Sequence, residues 1–151
     1  MANSLRNTVR GIDLFPIEDT LLEESRVFLV GEINANTSDE LIQKLMHLDM
    51  KDLGEITLYI NSPGGEVMSG LAVYDYIKIM KSPVKTVCVG DAASMGAIIF
   101  LAGEKREMLP HSRILIHDPS YGYLDVSGKK PHEIPRKSII TKCLQKGTEV
   151  V

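Results

Sequence analysis

The segment EITLYINSPGGEVMSGLAVYDYIKIM, residues 55–80, decides the fold predicted for this chain. Its first six residues are rich in β-branched and aromatic side chains, which predicts a strand over 55–60. The following NSPGG, residues 61–65, is a dense turn signal. Apolar side chains that recur from Val67 to about Met80 then indicate a helix. The segment is therefore typical of a strand that leads through a glycine turn into a helix.

The same alternation of strands and helices continues on both sides of this segment. Strands are predicted at 26–31, 84–89 and 113–116, the first of them buried, and an apolar helix at 95–102. Strands that alternate with helices predict a parallel α/β core, in which ligands gather at the carboxyl ends of the strands. The turns at 61–65 and 90–96 and the strand end at His117 all fall on that edge.

Another helix is predicted to begin at a capping box from Thr37 to Glu40, with Thr37 as its N-cap. The apolar face of this helix is expected to consist of Leu41, Ile42, Leu45, Met46 and Leu48. Residues 1–20 are mixed in character and contain Gly11 and Pro16, so we predict a loop or arm there.

The composition fits one globular domain, with 151 residues, 44% of them apolar and 25% charged. A net charge of −3 gives no attraction to nucleic acid or anionic membranes, and no apolar run suggests a membrane span. The polar N-terminus shows no secretory signal, and the two cysteines show no metal-ligand spacing. We therefore expect a cytoplasmic protein, with Cys88 as a small buried apolar residue.

The last part of the chain differs in composition from the rest. Residues 129–151 hold six Lys or Arg against two Glu, which gives +4, and they contain no aromatic residue. Without aromatic side chains, a solvated or disordered end is favoured over a nucleic-acid-binding arm. We expect three parts: an arm at 1–20, an α/β core at 21–123 and a divergent basic tail, disordered in part, at 124–151.

Ser94 lies between a predicted strand and a predicted helix, in the segment Ala92-Ala93-Ser94-Met95-Gly96. A serine hydroxyl becomes a nucleophile where a base removes its proton and where donors stabilise the oxyanion that forms. A helix N-terminus offers such donors, and the small neighbours permit a tight turn and close approach of a substrate. From these residues alone, a serine that only caps the helix is favoured over a nucleophile.

Two other features fall on the same edge of the predicted sheet. His117 is a candidate general base, although a histidine at a strand end is more often structural. Gly64 and Gly65 allow positive φ or a close approach of backbone N–H groups to a ligand, and a tight turn is the simpler interpretation.

Taken together, these segments resemble the proteolytic subunit of the Clp protease, the ClpP family. Tyr59–Gly65 is similar to the family's Y-I-N-S-P-G-G, and Gly70–Asp75 to its G-L-A-I-Y-D. Ala92–Ala97 is similar to the nucleophile segment A-A-S-M-G-A, and Leu109–Pro119 to L-P-N-S-R-I-M-I-H-Q-P with Asp118 in place of Gln. The resemblance covers the chain from about Leu21 to about Tyr123.

The resemblance implies an α/β fold of stacked ββα units, as in the crotonase-like superfamily, and the activity of a serine endopeptidase. It implies that Ser94 attacks the scissile carbonyl and that His117 is the general base. The backbone N–H groups of Gly65 and Met95 would form the oxyanion hole.

The resemblance also implies partners. Subunits of the family form seven-membered rings with the active sites inside a chamber, and a Clp-type ATPase delivers unfolded protein to them. Tyr59 would belong to the apolar pocket between subunits where the ATPase docks. Contacts to substrate or partner are implied for Gly64, Tyr59 and Gly122. No metal, nucleotide, nucleic acid or membrane is implied as a partner of this subunit.

One part of the family's pattern is not found in this sequence. The family's triad aspartate lies well after the histidine, beyond a long helix, and neither is seen after Tyr123, so we expect a truncated single domain. Asp118 adjoins His117 and would point to the opposite face of the strand, and nothing requires Asp125 to fold back. Because loss of the acid costs about 10⁴ in kcat, a chain with Ser94 and His117 alone is expected to be a slow enzyme.

Two other functions stay open on this sequence. A structural or regulatory subunit that joins rings without catalysing would explain the missing aspartate, but it would not require both Ser94 and His117. An acyl-CoA enzyme of the same fold would use Gly65 to hold a thioester enolate. The match of the serine and histidine segments to the peptidase disfavours that enzyme.

Overall fold

Seven strands and four helices make up the part of the chain that this computed structural model describes, residues 3–8 and 11–117. In chain order they are β1 (Asn3–Thr8), β2 (Gly11–Pro16), α1 (Ile17–Glu23), β3 (Arg26–Ile33), α2 (Ala35–Lys51), β4 (Ile56–Gly65), α3 (Val67–Ile79), β5 (Val84–Ala93), α4 (Met95–Ala102), β6 (Lys105–Met108) and β7 (Arg113–Leu115). All of them belong to a compact unit that ends at Ile116, and His117 begins a second unit.

Strands β3 to β7 form a sheet in which every pairing is parallel. The order is β3-β4-β5-β6, and β7 also pairs with β5. β6 and β7 share one edge of β5: Lys85 is opposite Lys105 near its start, and Ala93 is opposite Leu115 at its end. Helices connect the strands up to β6, which confirms the predicted parallel α/β core.

The apolar core lies between this sheet and the helices, and it reaches only one face of β3. Val27 and Leu29 are buried, whereas Phe28 is 43% exposed and Val30 is 61% exposed. The predicted strand is present, but its predicted burial holds for one face only, because alternate residues of a strand point to opposite faces and only one face packs into the core. Cys88 is completely buried, as predicted.

The first strands form a hairpin where the sequence predicted a loop. β1 and β2 are antiparallel, with Leu5 opposite Leu14, and α1 follows directly. The hydroxyl groups of Ser4 and Thr20 lie 2.9 Å apart and connect the hairpin to α1. The sequence did not predict the hairpin because its apolar residues are separated by polar ones and form no continuous apolar pattern. Leu5, Ile12 and Leu14 are each mostly exposed.

The start of α2 differs from the predicted capping box. Asn34, not Thr37, is the N-cap: its side chain accepts from the Thr37 N–H at 3.1 Å. In return the Asn34 N–H donates to the Thr37 hydroxyl at 3.0 Å, so that Thr37 occupies the N3 position at the end of the box rather than the N-cap position at its start. Met46 is 45% exposed, and the buried stripe is therefore narrower than predicted.

Strand boundaries also differ from prediction. β4 and β5 continue through their predicted turns to Gly65 and Ala93, because Ser62 still pairs with Ala92 after a register shift. β6 was not predicted, since all four of its residues are exposed and three are charged. The predicted tail lies outside the described residues, so the division into three parts stays a prediction. Among the described helices, none has both the length and the apolar character that crossing a membrane requires.

Candidate active site

Ser94 lies where β5 ends and α4 begins, at the carboxyl edge of the parallel sheet. Its φ of 53° and ψ of −120° are rarely adopted by residues other than glycine, so its backbone is strained. Ser94 occupies the N-cap position of α4, but its side chain makes no capping hydrogen bond. Ser94 therefore has the predicted N-cap position, but its side chain does not make the hydrogen bond of a capping serine.

Backbone hydrogen bonds hold the turn on both sides of Ser94. Its N–H donates to the carbonyl of Leu115 on β7 at 2.8 Å. Its carbonyl accepts from the N–H groups of Ala97 and Ile98 at 3.0 and 3.3 Å. A strained residue persists only where its surroundings over-determine it, and such residues cluster at active sites. A similar sharp turn from strand to helix exposes the nucleophilic serine of α/β-hydrolases.

Gly64 packs directly against the Ser94 turn. Its φ is +95°, and a Cβ placed on it would lie 2.7 Å from the Cβ of Ser94 and 2.7 Å from the carbonyl oxygen of Ala93. The same Cβ would lie 3.0 Å from the backbone nitrogen of Met95. Any side chain at position 64 would therefore push against the serine and the start of α4. The glycine allows the end of β4 to approach both.

Gly65 continues the same turn and lies against β3. It is opposite Ile33, and a side chain on it would collide with the backbone of Ile33. The carbonyl of Ile33 accepts from the N–H of Glu66 at 2.8 Å. The buried hydroxyl of Ser62 accepts from the Gly64 N–H at 3.1 Å and donates to a carbonyl of β3 at 2.6 Å. Ser62 was not singled out from the sequence, which indicated only that it lies within the turn at 61–65.

Met95 opens α4, so its N–H belongs to the first turn of a helix, where no partner exists within the helix. Its side chain is completely buried and packs against Gly70 of α3, which fixes the position of this first residue. The helix dipole adds partial positive charge next to Ser94. Such donors stabilise negative charge on a substrate oxygen. Among the described residues, no group of three His, Cys, Asp or Glu side chains could hold a metal ion.

Tyr59 does not belong to this cluster. It lies earlier on β4, where its ring stacks on that of Phe28 with 5.0 Å between centroids and 19° between planes.

Phe28 and Val30 line a cavity of about 480 Å³ between α1, β3 and α2. Leu21, Leu22 and Leu41 contribute to the same wall, and Glu18, Arg26 and Lys44 also lie along it. The structure therefore separates this apolar cavity from the Ser94 turn.

His117 is the first of the predicted site residues that follow β7. His117 is exposed and follows Leu115 by two residues, and it begins the second compact unit. Its pairing with Ser94 stays a prediction. Gly122, Asp118 and Asp125 lie outside the described residues.

Three polar residues beside the Ser94 turn were not singled out from the sequence. Arg113 on β7 donates to both carboxylate oxygens of Asp91 on β5, through Nε at 2.8 Å and through Nη2 at 2.9 Å. The side chain of Asn61 on β4 accepts from the Asp91 N–H at 3.0 Å. The hydrogen bond from Arg113 holds the pKa of Asp91 below its usual value. The pairing of β7 with β5 creates this contact, and no local sequence pattern shows it.

Comparison with known proteins gives a consistent result. A family model described as Clp protease matches residues 10–137. The ATP-dependent Clp protease proteolytic subunit of Borreliella afzelii (strain PKo) is 48% identical over 109 residues, which are 70% of this chain and 55% of that protein. The chain thus spans about half the length of this curated relative. Because the family model covers most of the sequence and agrees with the parallel α/β core, the chain belongs to the Clp protease family.

Proposed function

We propose that this chain is a proteolytic subunit of an ATP-dependent Clp protease and that it hydrolyses peptide bonds of unfolded proteins. The observation that carries the proposal is the strained turn at Ser94. Gly64 packs closely against this serine and against the first residue of α4. A serine in this position without a capping hydrogen bond is suited to act as a nucleophile. The similarity to the ATP-dependent Clp protease proteolytic subunit of Borreliella afzelii supports the same activity.

In the proposed reaction the Ser94 hydroxyl attacks the carbonyl carbon of a peptide bond while His117 takes the hydroxyl proton. The negative oxygen of the tetrahedral intermediate accepts hydrogen bonds from the N–H groups of Gly65 and Met95. The intermediate collapses when the C–N bond breaks, and His117 returns the proton to the leaving amine. Water, activated by His117, then hydrolyses the acyl-enzyme and restores Ser94.

The cavity beside Phe28 supports a proposal for the partner. Tyr59 and Phe28 stack at the edge of the sheet, and the apolar wall formed by α1, β3 and α2 stays open. Such a surface suits an apolar segment of another protein. We assign it to a Clp-type ATPase, in a cytoplasmic oligomer of this chain, with Tyr59 and Phe28 at the contact. Gly64 and Gly122 are assigned to contacts with the peptide.

Hydrolysis of a short fluorogenic peptide tests the activity, because short peptides enter the family's chamber without the ATPase. Ser94→Ala is expected to lower the rate by at least about 10³-fold, since it removes the nucleophile. Ser69→Ala is the matched control: this serine of α3 donates to Glu66 and has no place in the mechanism, so its rate should equal the parent's.

Two results would contradict the proposal. Hydrolysis unchanged by Ser94→Ala would mean that another group or a contaminant cleaves the peptide. A folded parent that never hydrolyses the peptide, yet assembles with a full-length relative on native gels, would favour the structural or regulatory subunit.

A further inference from the structure

Polar side chains connect β4, β5 and β7 at Asp91, three residues before Ser94. Asp91 on β5 is opposite Arg113 on β7, and the guanidinium binds both carboxylate oxygens in a two-point contact. Two-point contacts between arginine and carboxylate fix orientation as well as distance. The ion pair therefore adds a directional side-chain link between β7 and the end of β5.

The backbone of the same residue is tied to β4. The Asp91 N–H donates to the side-chain oxygen of Asn61 at 3.0 Å. That oxygen fills the space where a side chain on Gly90 would lie, so glycine at 90 lets Asn61 reach across. Asn61 sits at the shift in register between β4 and β5, where ordinary ladder pairing is interrupted. Its side chain therefore links the two strands at this point.

Besides the ion pair, β7 is held by its backbone pairing with β5 and by a weak contact from the Cys88 Sγ to the Arg113 carbonyl at 3.5 Å, whereas its side chains add little burial. It is three residues long, and Arg113, Ile114 and Leu115 are all exposed. Yet the carbonyl of Leu115 accepts the N–H of the strained Ser94 at 2.8 Å. If β7 moved by one residue, that carbonyl would no longer face Ser94.

We propose that Asn61, Asp91 and Arg113 act as positioning residues that hold β7 in register and thereby keep Ser94 in its strained, reactive conformation. The catalytic consequence rests on the proposed function, whereas the structural consequence does not. Removing the ion pair should lower the reactivity of Ser94 without removing any group that touches the substrate. It should also loosen the hydrogen bond between Ser94 and Leu115.

The test compares Asp91→Ala and Arg113→Ala with the parent and with Glu55→Ala. Glu55 forms an exposed ion pair with Lys105 at 2.6 Å, at the opposite end of the sheet, and so serves as the matched control. The first readout is the exchange rate of the Ser94 amide hydrogen, measured by NMR. We expect about 10-fold faster exchange in Asp91→Ala and in Arg113→Ala and no change in Glu55→Ala.

The second readout is the rate at which a fluorophosphonate labels Ser94, together with kcat and KM for a short peptide. Misplacing a reacting group by about 1 Å costs up to about 100-fold, so labelling and kcat should fall by about 10- to 100-fold with KM unchanged. The double variant should be no slower than the slower single variant, because both remove the same contact.

The outcomes separate the two proposals. Amide exchange of Ser94 that stays at the parent rate in Asp91→Ala and Arg113→Ala would overturn the positioning role, whatever the activity. Faster exchange together with unchanged labelling would overturn the link to reactivity. A parent that is never labelled would contradict the proposed function, and the amide exchange would still decide the role of the ion pair.

Discussion

Ser94 keeps an unfavourable backbone conformation because neighbours on both sides leave it no alternative. The carbonyl of Leu115 holds its N–H, and Gly64 fills the space beside its Cβ. Strain of this kind costs about 1–3 kcal/mol, which the surrounding contacts must offset. The reactivity proposed for Ser94 therefore depends on residues that never touch a substrate.

Gly64→Ala tests this dependence at the residue scale. The new Cβ would strain a backbone at φ +95° and would press on Ser94 and Ala93 at 2.7 Å. We expect the free energy of unfolding to fall by about 1–3 kcal/mol and fluorophosphonate labelling to slow by about 10-fold or more. Denaturant unfolding and labelling kinetics measure the two effects.

Gly54→Ala is the matched control for that substitution. Gly54 has nearly the same φ, +91°, but nothing lies within 4 Å of an added Cβ. It should cost about 1–2 kcal/mol from backbone strain alone and leave labelling at the parent rate. Equal labelling in the Gly64 and Gly54 variants would show that Gly64 does not position the serine.

At the scale of elements, Asp49 connects α2 to the turn between α3 and β5. Its carboxylate accepts from the N–H of Ser82 at 2.7 Å and from that of Lys81 at 3.1 Å. The Ser82 hydrogen bond, followed by lesser contributions from Lys81, holds the pKa of Asp49 below its usual value, against the opposing effect of burial. This turn places β5, and β5 ends at the Ser94 turn.

Asp49→Asn should therefore destabilise the fold in a pH-dependent way. Because the folded-state pKa is lowered, the charged carboxylate contributes stability above the unfolded pKa of about 3.9 and loses it as pH falls through the folded pKa. The loss should be about 1 kcal/mol at pH 7 and should shrink below about pH 4. Urea unfolding of parent and variant across pH measures it.

Asp75→Asn, at an exposed position of α3, is the control and should change stability by less than about 0.5 kcal/mol. A penalty for Asp49→Asn that stayed constant from pH 7 to pH 3 would contradict the assigned role of the carboxylate.

The elements with a regular apolar pattern were predictable, and those without one were not. The alternation of apolar segments with turn signals located β3, β4, β5 and the helices that follow them. The carboxyl-edge rule then indicated that 61–65 and Ser94 lie on the same edge of the sheet, and the structure places Gly64 against Ser94. β6 and the hairpin have exposed residues and gave no signal. The Asp91–Arg113 contact depends on the register of β7, which no local pattern encodes.

For the whole molecule, the two surfaces to which the proposed function assigns roles lie at different places on the described unit. The Ser94 turn lies at the carboxyl edge of the sheet, and the cavity beside Phe28 lies against the outer strand β3. Exposed apolar side chains of this size on a folded unit are typical of contacts with other chains. The separation lets one surface serve recognition while the other serves catalysis, as the proposed function requires.

The most direct test of the central claim is the intact mass of the chain after treatment with a fluorophosphonate. The reagent reacts with a serine whose proton is removed by a base and whose oxyanion is stabilised. We predict one adduct on the parent, none on Ser94→Ala and one on Ser69→Ala. A folded parent without an adduct, or an adduct that persists in Ser94→Ala, would contradict the assignment of Ser94 as the nucleophile.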